Sequence, residues 1–313
     1  MQKDSKIYIA GHRGMVGSAI QRKLEKEGYH NLVLRSSVEL DLRRQEKVEK
    51  FFIFEKIDYV FLAAAKVGGI HANNLYRADF LYDNLSIQNN VIYSAYQTRV
   101  KKLMFLGSSC IYPKLAEQPL KEDYLLSGPL EHTNEPYAIA KIAGIKLCEA
   151  MRDQYDCNFI SVMPTNLYGP NDNYDLKTSH VLPALLRKFA EAKETGAPAV
   201  SIWGTGTPRR EFLHVDDMAD ACYFLMHHYN KKEFLNIGTG KDISILELAQ
   251  MIKEIVGFEG EIVHDKSKPD GTPRKLMDVN KLEQLGWKAK IGLREGIEMV
   301  YKDFVNENLL NRS

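Results

Sequence analysis

Residues 6–17 read KIYIAGHRGMVG, and this stretch decides the fold. The run IYIA is short, apolar and rich in β-branched and aromatic residues, which is typical of a buried strand. Glycines at positions 11, 14 and 17 follow it directly, and a helical pattern begins at Val16. The stretch therefore predicts a strand, a tight glycine turn and a helix, which together form the first unit of an α/β sheet.

Outward from this unit, the first half of the chain alternates short apolar runs with longer helical patterns. Strands buried on both faces of a parallel sheet read as continuous apolar runs, as YVFLAAA and KLMFLGS do. The alternation predicts an α/β fold, a Rossmann-type doubly wound parallel sheet with crossover helices on both faces. The predicted strands are Lys6–Gly11, Leu32–Arg35, Tyr59–Ala63, Lys102–Ser108 and Asn158–Met163, and the predicted helices are Val16–Glu27, Arg43–Glu55, Phe80–Thr98 and Tyr137–Tyr155.

After Met163 the pattern loosens, and prolines and glycines interrupt it. We expect a smaller, irregular α/β substrate domain of about 166–213 plus 239–313, with 1–165 plus about 214–238 forming the Rossmann domain. Asp216 or Asp217 is expected to cap a helix, and Ser244, with Glu247 three residues later, to cap the next one. The other predicted elements are helices at Val181–Ala192, Ser244–Val256, Asp278–Leu285 and Leu293–Val305, and strands at Val200–Trp203 and Phe234–Ile237.

The bulk composition excludes several classes of protein. Of 313 residues, 44% are hydrophobic and 27% charged, and the formal net charge of +1 creates no field that selects nucleic acid or an anionic membrane. No apolar run reaches the roughly eighteen residues of a membrane span, and the N-terminal apolar run leads into glycines, unlike a signal peptide. The cysteines show neither CxxC pairs nor metal-ligand spacing, so we expect a cytoplasmic protein without a metal; they are Cys110, Cys148, Cys157 and Cys222.

The glycine turn of residues 11–17 is a candidate dinucleotide site. Its spacing allows a tight turn and close approach of a pyrophosphate, and the following helix offers free N–H groups at its N-terminus. An NAD site usually carries an acidic residue at the end of the second strand, but this chain has Arg35 there and Arg13 inside the turn. Two guanidiniums favour a 2′-phosphate, so the sequence predicts NADP(H). The alternative is that Arg35 is only a solvated strand end.

The segment 134–146, NEPYAIAKIAGIK, holds a candidate proton-transfer pair. Tyr137 and Lys141 are four residues apart on a predicted helix and share one face. Such pairs are common by chance, but this one starts near the carboxyl ends of the strands, where open α/β sheets bind ligands and where Ser108 ends the fourth strand. We expect the lysine charge to lower the pKa of the phenol toward working pH. Tyr137 would then protonate a ketone oxygen as hydride reaches its carbon, with Ser108 orienting that oxygen.

Several long blocks, in order along the chain, resemble the extended short-chain dehydrogenase/reductase family, which shares a glycine turn, a serine and a YxxxK pair. Within that family the chain is similar to NADPH-dependent enzymes that epimerise and reduce GDP-4-keto-6-deoxy-D-mannose. The resemblance implies one active site for three steps, inversion at C3 and C5 beside the 4-keto group and then reduction at C4. The blocks are GHRGMVGSAI, AAAKVGGI, GSSCIYP, NEPYAIAKIAGIK, MPTNLYGPNDN, REFLHVDDMA and SKPDGTPRKLMD.

The resemblance also assigns roles to residues that mean little alone. It implies that Cys110 and His180 are the base and acid of the inversions, although alone they read as a small buried hydrophobe and a helix-start residue. Arginine is expected where Lys188 stands, and Arg187 is adjacent, so either one could reach the diphosphate. The implied GDP-sugar contacts are Lys188, Trp203, Arg210, Asp270 and Lys275. The cofactor set, including the turn and Arg35, is Gly11, His12, Arg13, Gly14, Met15, Val16, Gly17, Arg35, Leu106, Gly107, Ser108, Ser109, Lys141, Pro164, Thr165, Asn166, Leu167 and His180.

The resemblance further implies a homodimer, built from helices around Ser86–Arg99 and Ile139–Tyr155 of each subunit. Alternatively, the apolar faces of these helices only cover the sheet. One rival function is a sibling nucleotide-sugar enzyme, such as a GDP-colitose-forming synthase, a 4-epimerase or a 4,6-dehydratase. The dehydratase is disfavoured because Ser109 and Cys110 stand where it needs acidic residues. A non-catalytic NADP-sensing regulator is disfavoured because the chain keeps both the tyrosine and the lysine of the YxxxK pair.

Overall fold

The structure is a computed structural model that describes residues 1–176, 178–268 and 270–307, apart from the side chains at positions 70 and 71. Its strands are β1 Ile7–Ala10, β2 Leu32–Val33, β3 Tyr59–Leu62, β4 Lys102–Leu106, β5 Phe159–Pro164, β6 Asn166–Tyr168, β7 Ala199–Trp203, β8 Arg209–His214, β9 Leu235–Ile237, β10 Asp242–Ser244, β11 Glu261–Asp265 and β12 Arg274–Lys275. Its helices are α1 Met15–Lys26, α2 Gln45–Glu55, α3 Ile70–Leu75, α4 Arg77–Gln97, α5 Glu135–Tyr155, α6 Val181–Thr195, α7 Val215–His228, α8 Ile245–Val256, α9 Asn280–Gln284 and α10 Leu293–Asn306.

The largest sheet is parallel throughout and has the strand order β2-β1-β3-β4-β5-β9. The order reverses direction between β1 and β3, so the connections after these two strands diverge and leave a crevice at the carboxyl edge. The predicted Rossmann-type sheet is confirmed. Its strands end earlier than predicted, β2 at Val33 and β4 at Leu106, so Arg35 and Ser108 lie in the loops that follow.

Both faces of this sheet are buried because successive side chains of a strand point to opposite sides. Ile7 and Ile9 pack into one apolar cluster with α1 and α7, whereas Tyr8 and Ala10 pack into another with α2, α4 and α5. Each large side chain buried in this way stabilises the fold by about 1.5–3 kcal/mol. In the part of the chain that the structure describes, no helix has both the length and the apolarity to cross a bilayer.

A smaller, mixed sheet forms around β8, which pairs with β10 in antiparallel fashion and with β12 and β6 in parallel. β7 and β11 form a separate parallel pair, and α6, α8 and α10 enclose a third apolar cluster. The sequence did not predict β8, although it is the link between the two parts of the fold. It ends at His214, and α7 of the large sheet begins at the next residue.

The sequence predicted the capping residues of two helices, α7 and α8. The capping box of α8 is confirmed, since Ser244 and Glu247 bond each other's main chain. The cap predicted for α7 is wrong, because His214 occupies the cap position and its Nδ1 accepts a hydrogen bond from the N–H of Asp216 at 3.2 Å. Asp217 lies in the first turn instead, where its carboxylate accepts two main-chain N–H bonds from the segment before α10.

Candidate active site

The glycine turn after β1 leaves no room for side chains. Gly11 has a φ of +86°, and a Cβ there would lie 2.8 Å from the main-chain nitrogen of Ala64. A Cβ on Gly17 would lie 2.1 Å from the carbonyl oxygen of Gly11. Gly14 caps α1 without a capping side chain from the described residues, so the first N–H groups of α1 point out of the turn. This cradle is suited to an anion that the main chain approaches closely.

Arg35 lies in the loop after β2, where it is held against the end of α2. Its guanidinium donates to the carboxylate of Glu55 at 2.6 Å and to the carbonyl of Leu34 at 2.9 Å. These two contacts fix the guanidinium of Arg35, so the side chain is not freely solvated. Glu39 lies close by, where hydrogen bonds from Ser36 lower the pKa of its carboxyl and the charges of Arg35 and Arg13 lower it further.

Tyr137 and Lys141 share one face of α5, as the four-residue spacing requires. Lys141 Nζ lies 5.7 Å from the centre of the Tyr137 ring and donates to the carbonyl of Leu106 at 2.8 Å. Burial lowers the pKa of Lys141 to about 8. Burial also raises the pKa of Tyr137 well above its usual range, with the neighbouring Cys110 adding to the rise and Ser108 opposing it. The expectation that Lys141 would bring the phenol near working pH is therefore not met in this structure, because burial raises the pKa of the phenol instead.

Ser108 and Cys110 follow β4 in a short 3-10 helix at the same edge. Ser108 caps this helix, and its Oγ accepts from the N–H of Cys110 at 3.4 Å. Burial raises the pKa of the Cys110 thiol, while a hydrogen bond with Ser108 and the charges of Lys275 and Lys141 lower it. The cations expected near the thiol are present, but desolvation is the larger effect.

His180 is the residue before α6, and its side chain is exposed. The surrounding protein lowers the pKa of its imidazole, and the charge of Lys275 lowers it further. Lys275 thus interacts electrostatically with both Cys110 and His180, in addition to the diphosphate contact that the resemblance implies. Burial lowers the pKa of Lys275 as well.

The remaining predicted substrate residues lie around β7 and β8. Lys188 Nζ donates to the carbonyl of Ser201 at 3.1 Å, whereas Arg187 is engaged by Glu191 at 2.6 Å and by the Tyr174 carbonyl. The charge of Arg187 is therefore paired with a carboxylate, whereas the contact of Lys188 is to a neutral carbonyl.

The protein holds the other three predicted contact residues to different degrees; these are Trp203, Asp270 and Arg210. Trp203 is 50% exposed at the end of β7. Asp270 accepts from the N–H of Thr205 at 2.7 Å and from its hydroxyl, so it also closes a loop. Arg210 donates to the carbonyl of Arg209, and burial lowers the pKa of its guanidinium.

Comparison with known proteins adds to this geometry. The profile of the NAD dependent epimerase/dehydratase family matches residues 7–238, from β1 to the end of the large sheet. The chain belongs to the NAD dependent epimerase/dehydratase family. It is 62% identical over 310 residues to GDP-L-fucose synthase 1 of Arabidopsis thaliana, a match that covers 99% of this chain and 96% of the plant protein. The membership confirms the expected extended short-chain dehydrogenase/reductase fold and an enzymatic function.

Two other known proteins are less similar to this chain. GDP-L-colitose synthase of Yersinia pseudotuberculosis is 40% identical over 304 residues, which cover 96% of this chain and 98% of that protein. The structure of MlghC, a GDP-mannoheptose C4 reductase from Campylobacter jejuni with NADP bound, is 47% identical with a TM-score of 0.91, and the match covers 97% of this chain and 99% of that one. The chain is thus more similar to the plant fucose synthase than to the colitose synthase.

The structure also brings residues to the site that sequence reasoning missed. Lys268 Nζ lies 5.7 Å above the Trp203 ring. The N–H of Gly69 donates to the carbonyl of Thr178 at 2.9 Å, which ties the loop after β3 to the segment before His180. The glycine pair in AAAKVGGI was a visible signal for a close approach, whereas nothing in the block SKPDGTPRKLMD, which contains Lys268, pointed to a contact with Trp203.

Proposed function

We propose that this chain converts GDP-4-keto-6-deoxy-D-mannose to GDP-L-fucose by inverting C3 and C5 and reducing C4 with NADPH. The observation that carries the proposal is that Tyr137, Lys141 and Cys110 lie together at the end of β4, while Lys275 acts electrostatically on both Cys110 and His180. A phenol and an ammonium suit ketone reduction, and a thiol and an imidazole suit proton exchange beside the ketone. The 62% identity to a GDP-L-fucose synthase supports this substrate over its siblings.

The cofactor fits the residues that are present. The cradle around Gly11 and Gly17, which any Cβ would fill, accepts a pyrophosphate, and Arg13 with Arg35 would hold a 2′-phosphate. The segment 164–167 lies where β5 ends and β6 begins, and is proposed to line the nicotinamide. When bound, NADPH supplies the hydride that reaches C4. MlghC, the reductase solved with NADP, supports the same cofactor here.

In the reduction, Tyr137 donates the proton that the C4 oxygen needs. The raised pKa of its phenol keeps it protonated at neutral pH, which suits a donor to a forming alkoxide. Lys141 lies 5.7 Å from the ring and stabilises the tyrosinate left behind. Ser108, which lies near Tyr137 and lowers the pKa of its phenol, would hold the same oxygen and fix its direction.

In the inversions, a C–H proton next to the ketone moves to the thiolate form of Cys110, which becomes the thiol, and an enolate forms. Tyr137 and Ser108 hold the enolate oxygen, and the imidazolium form of His180 returns a proton from the opposite face and becomes neutral. Burial raises the pKa of the thiol and keeps it neutral in the resting protein, so the base acts through a minor thiolate population. The charges of Lys275 and Lys141 therefore matter, because they stabilise the thiolate once it forms.

For the nucleotide, we propose that Lys188, Arg210 and Lys275 neutralise the diphosphate. Trp203 would offer its exposed ring to the sugar or base, and Asp270 would accept hydrogen bonds from hydroxyls or guanine. Lys188 is preferred over the adjacent arginine because that arginine already binds a carboxylate and a carbonyl. The cofactor domain is proposed to be 1–165 plus about 214–238, with the remainder forming the substrate domain.

We further propose a homodimer that forms through the outer faces of α4 and α5. These helices pack on each other, yet they leave large apolar side chains exposed, including Tyr82 on α4 and Ile139 on α5. A cytoplasmic location is proposed because the cysteines of the chain are free thiols, which a reducing compartment maintains.

The test is incubation of the purified chain with NADPH and GDP-4-keto-6-deoxy-D-mannose, while NADPH absorbance is followed and the product sugar is identified by NMR. We expect NADPH consumption and GDP-L-fucose. The 3-deoxy analogue, the colitose precursor, serves as the competing substrate, and a higher kcat/KM for it would contradict the proposal. Tyr137→Phe serves as the control, since it should abolish reduction while NADPH still binds.

A further inference from the structure

Glu211 lies in the centre of β8 and has no exposed surface. Its carboxylate accepts three main-chain hydrogen bonds, from Thr239 at 2.5 Å, Gly240 at 2.8 Å and Met277 at 2.8 Å. The mechanism above does not use this group. A carboxylate buried in this manner is costly unless its oxygens are satisfied, and these N–H donors satisfy them.

The two carboxylate oxygens hold two different segments. Oε1 binds the turn after β9, at Thr239 and Gly240, while Oε2 binds Met277, two residues after β12 ends. The turn is shaped for this contact, since a Cβ on Gly238 would lie 2.3 Å from Oε1. The carboxylate of Glu211, on β8, therefore binds both the turn after β9 of the large sheet and the segment after β12 of the small sheet.

The neighbours of Glu211 belong to the proposed site. β12 pairs with β8 in a parallel register that places Lys275 opposite Arg210. The carbonyl of Glu211 accepts from Thr165 Oγ1 at 3.3 Å and from Asn166 Nδ2 at 2.8 Å, in the segment proposed to line the nicotinamide. The side chain thus secures the strand that carries Lys275, while the main chain contacts the cofactor segment.

We propose that Glu211 is a positioning residue for GDP-sugar binding, whose carboxylate holds β12 against β8 and so fixes Lys275 beside Arg210. This inference rests on the proposed function, because it assumes that these two cations meet the diphosphate. The main chain of Glu211 accepts two hydrogen bonds from the cofactor segment, and Thr165 of that segment also acts on the carboxyl, whose pKa it lowers. The main-chain donors to the carboxylate are Thr239, Gly240 and Met277, so a side-chain substitution acts mainly on the nucleotide-sugar half of the site.

The first test compares Glu211→Gln with the wild-type chain in calorimetric titrations of GDP and of NADP⁺. In the glutamine variant, an NH2 group replaces one of the two carboxylate oxygens and cannot accept from a main-chain N–H. The hydrogen bonds to that oxygen are therefore lost. We expect the Kd for GDP to rise about tenfold, equivalent to about 1.4 kcal/mol, with the Kd for NADP⁺ unchanged within about twofold. Equal weakening of both ligands would overturn the inference.

Glu122→Gln is the matched control for loss of a buried carboxylate. Glu122 is also buried and accepts from the main-chain N–H of Asn236 at 3.1 Å, but its other partner is Lys281 rather than a segment of the site. We expect it to lower the melting temperature without changing the Kd for GDP. If Glu122→Gln weakens GDP as much as Glu211→Gln does, the effect is general destabilisation and the inference is wrong.

A double-mutant cycle with Lys275→Met tests whether Glu211 acts through Lys275. In the Lys275→Met background, Glu211→Gln should weaken GDP less than about twofold, because the cation that it positions is absent. A full tenfold loss in that background would overturn the inference. If Glu211→Gln yields no folded protein, Glu211→Asp replaces it in the cycle, since it keeps the charge and shortens the reach. Failure of the wild-type chain to bind GDP would overturn the proposed function and this inference together.

Discussion

Cys110 is subject to two opposing effects. Burial raises the pKa of its thiol, and the charges of Lys275 and Lys141 lower it. Because burial is the larger effect, the thiol is protonated at neutral pH in the resting site. A base of this kind reacts through a minor thiolate population, so its rate should rise with pH up to the thiol pKa.

Cys110→Ser should therefore separate the inversions from the reduction. A serine hydroxyl is a far weaker base than a thiol, so we expect solvent deuterium entry at C3 and C5 to fall at least about 100-fold. Hydride transfer to a ketone that is already epimerised should change much less. The measurement is NMR of the sugar formed in D₂O. Unchanged deuterium entry would remove Cys110 from the role of base.

Arg35 is proposed to select NADPH over NADH by binding the 2′-phosphate. Arg35→Ala removes a charge-assisted contact that contributes about 1.5–3 kcal/mol, so the Kd for NADPH should rise roughly 10- to 100-fold while the Kd for NADH stays within about twofold. Fluorescence titration measures both. Arg294→Ala is the control, because Arg294 is also a surface arginine paired with a carboxylate, that of Glu254. Equal loss for both cofactors in Arg35→Ala would contradict the assignment.

At the scale of elements, the large sheet was predictable and the small one was not. Strands such as Tyr59–Leu62 are buried on both faces, so their apolar runs are visible in the sequence. The polar side chains of β8 find hydrogen-bond partners in segments that lie far away along the chain. Glu211, for example, finds its donors 28 to 66 residues away. Periodicity carries no information about such partners, and the same reason hid the His214 cap of α7.

The candidate site likewise contains features that local sequence spacing predicts and features that depend on how distant segments pack. The glycine turn and the tyrosine–lysine pair follow from local spacing, and the structure places both as expected. The approach of Lys275 to Cys110 and His180 depends on how β12 docks on β8, so the sequence alone could not place it. The raised pKa of Tyr137 was also missed, because burial is a property of the folded chain.

The contact between the loop after β3 and the start of α6 makes an element-scale prediction. A Cβ on Gly69 would lie 2.8 Å from the carbonyl oxygen of Ser179, the residue before His180. Gly69→Ala should therefore displace the start of α6 by a few tenths of an ångström. Because displacements of about 1 Å at a catalytic group cost up to about 100-fold, we expect deuterium entry to slow roughly tenfold.

The control for this displacement is Gly292→Ala, since a Cβ at Gly292 would meet open space and the residue also caps a helix. It should leave deuterium entry unchanged. Equal rates for the Gly69 and Gly292 variants would show that the contact does not position His180.

At the scale of the whole molecule, the apolar clusters account for most large side chains, but the outer faces of α4 and α5 stay uncovered. Tyr82 is 70% exposed and Ile139 is 44% exposed on these neighbouring helices. The rings of Tyr96 and Tyr155 stack with their centroids 4.3 Å apart, between the ends of α4 and α5. The two helices therefore form one continuous surface. A second copy of this surface would bury these side chains on both subunits, as a two-fold interface requires.

Ile139→Glu should therefore convert a dimer to a monomer, because the interface would bury one unpaired carboxylate on each subunit, at a cost of several kcal/mol. Light scattering coupled to gel filtration measures the change. Phe54→Glu is the matched control, since Phe54 is 82% exposed on α2 rather than on α4 or α5, and should leave the dimer intact. NADP⁺ binding should persist in both variants, because neither side chain lies in the glycine turn between β1 and α1. A wild-type chain that is monomeric at micromolar concentration would contradict the proposed assembly.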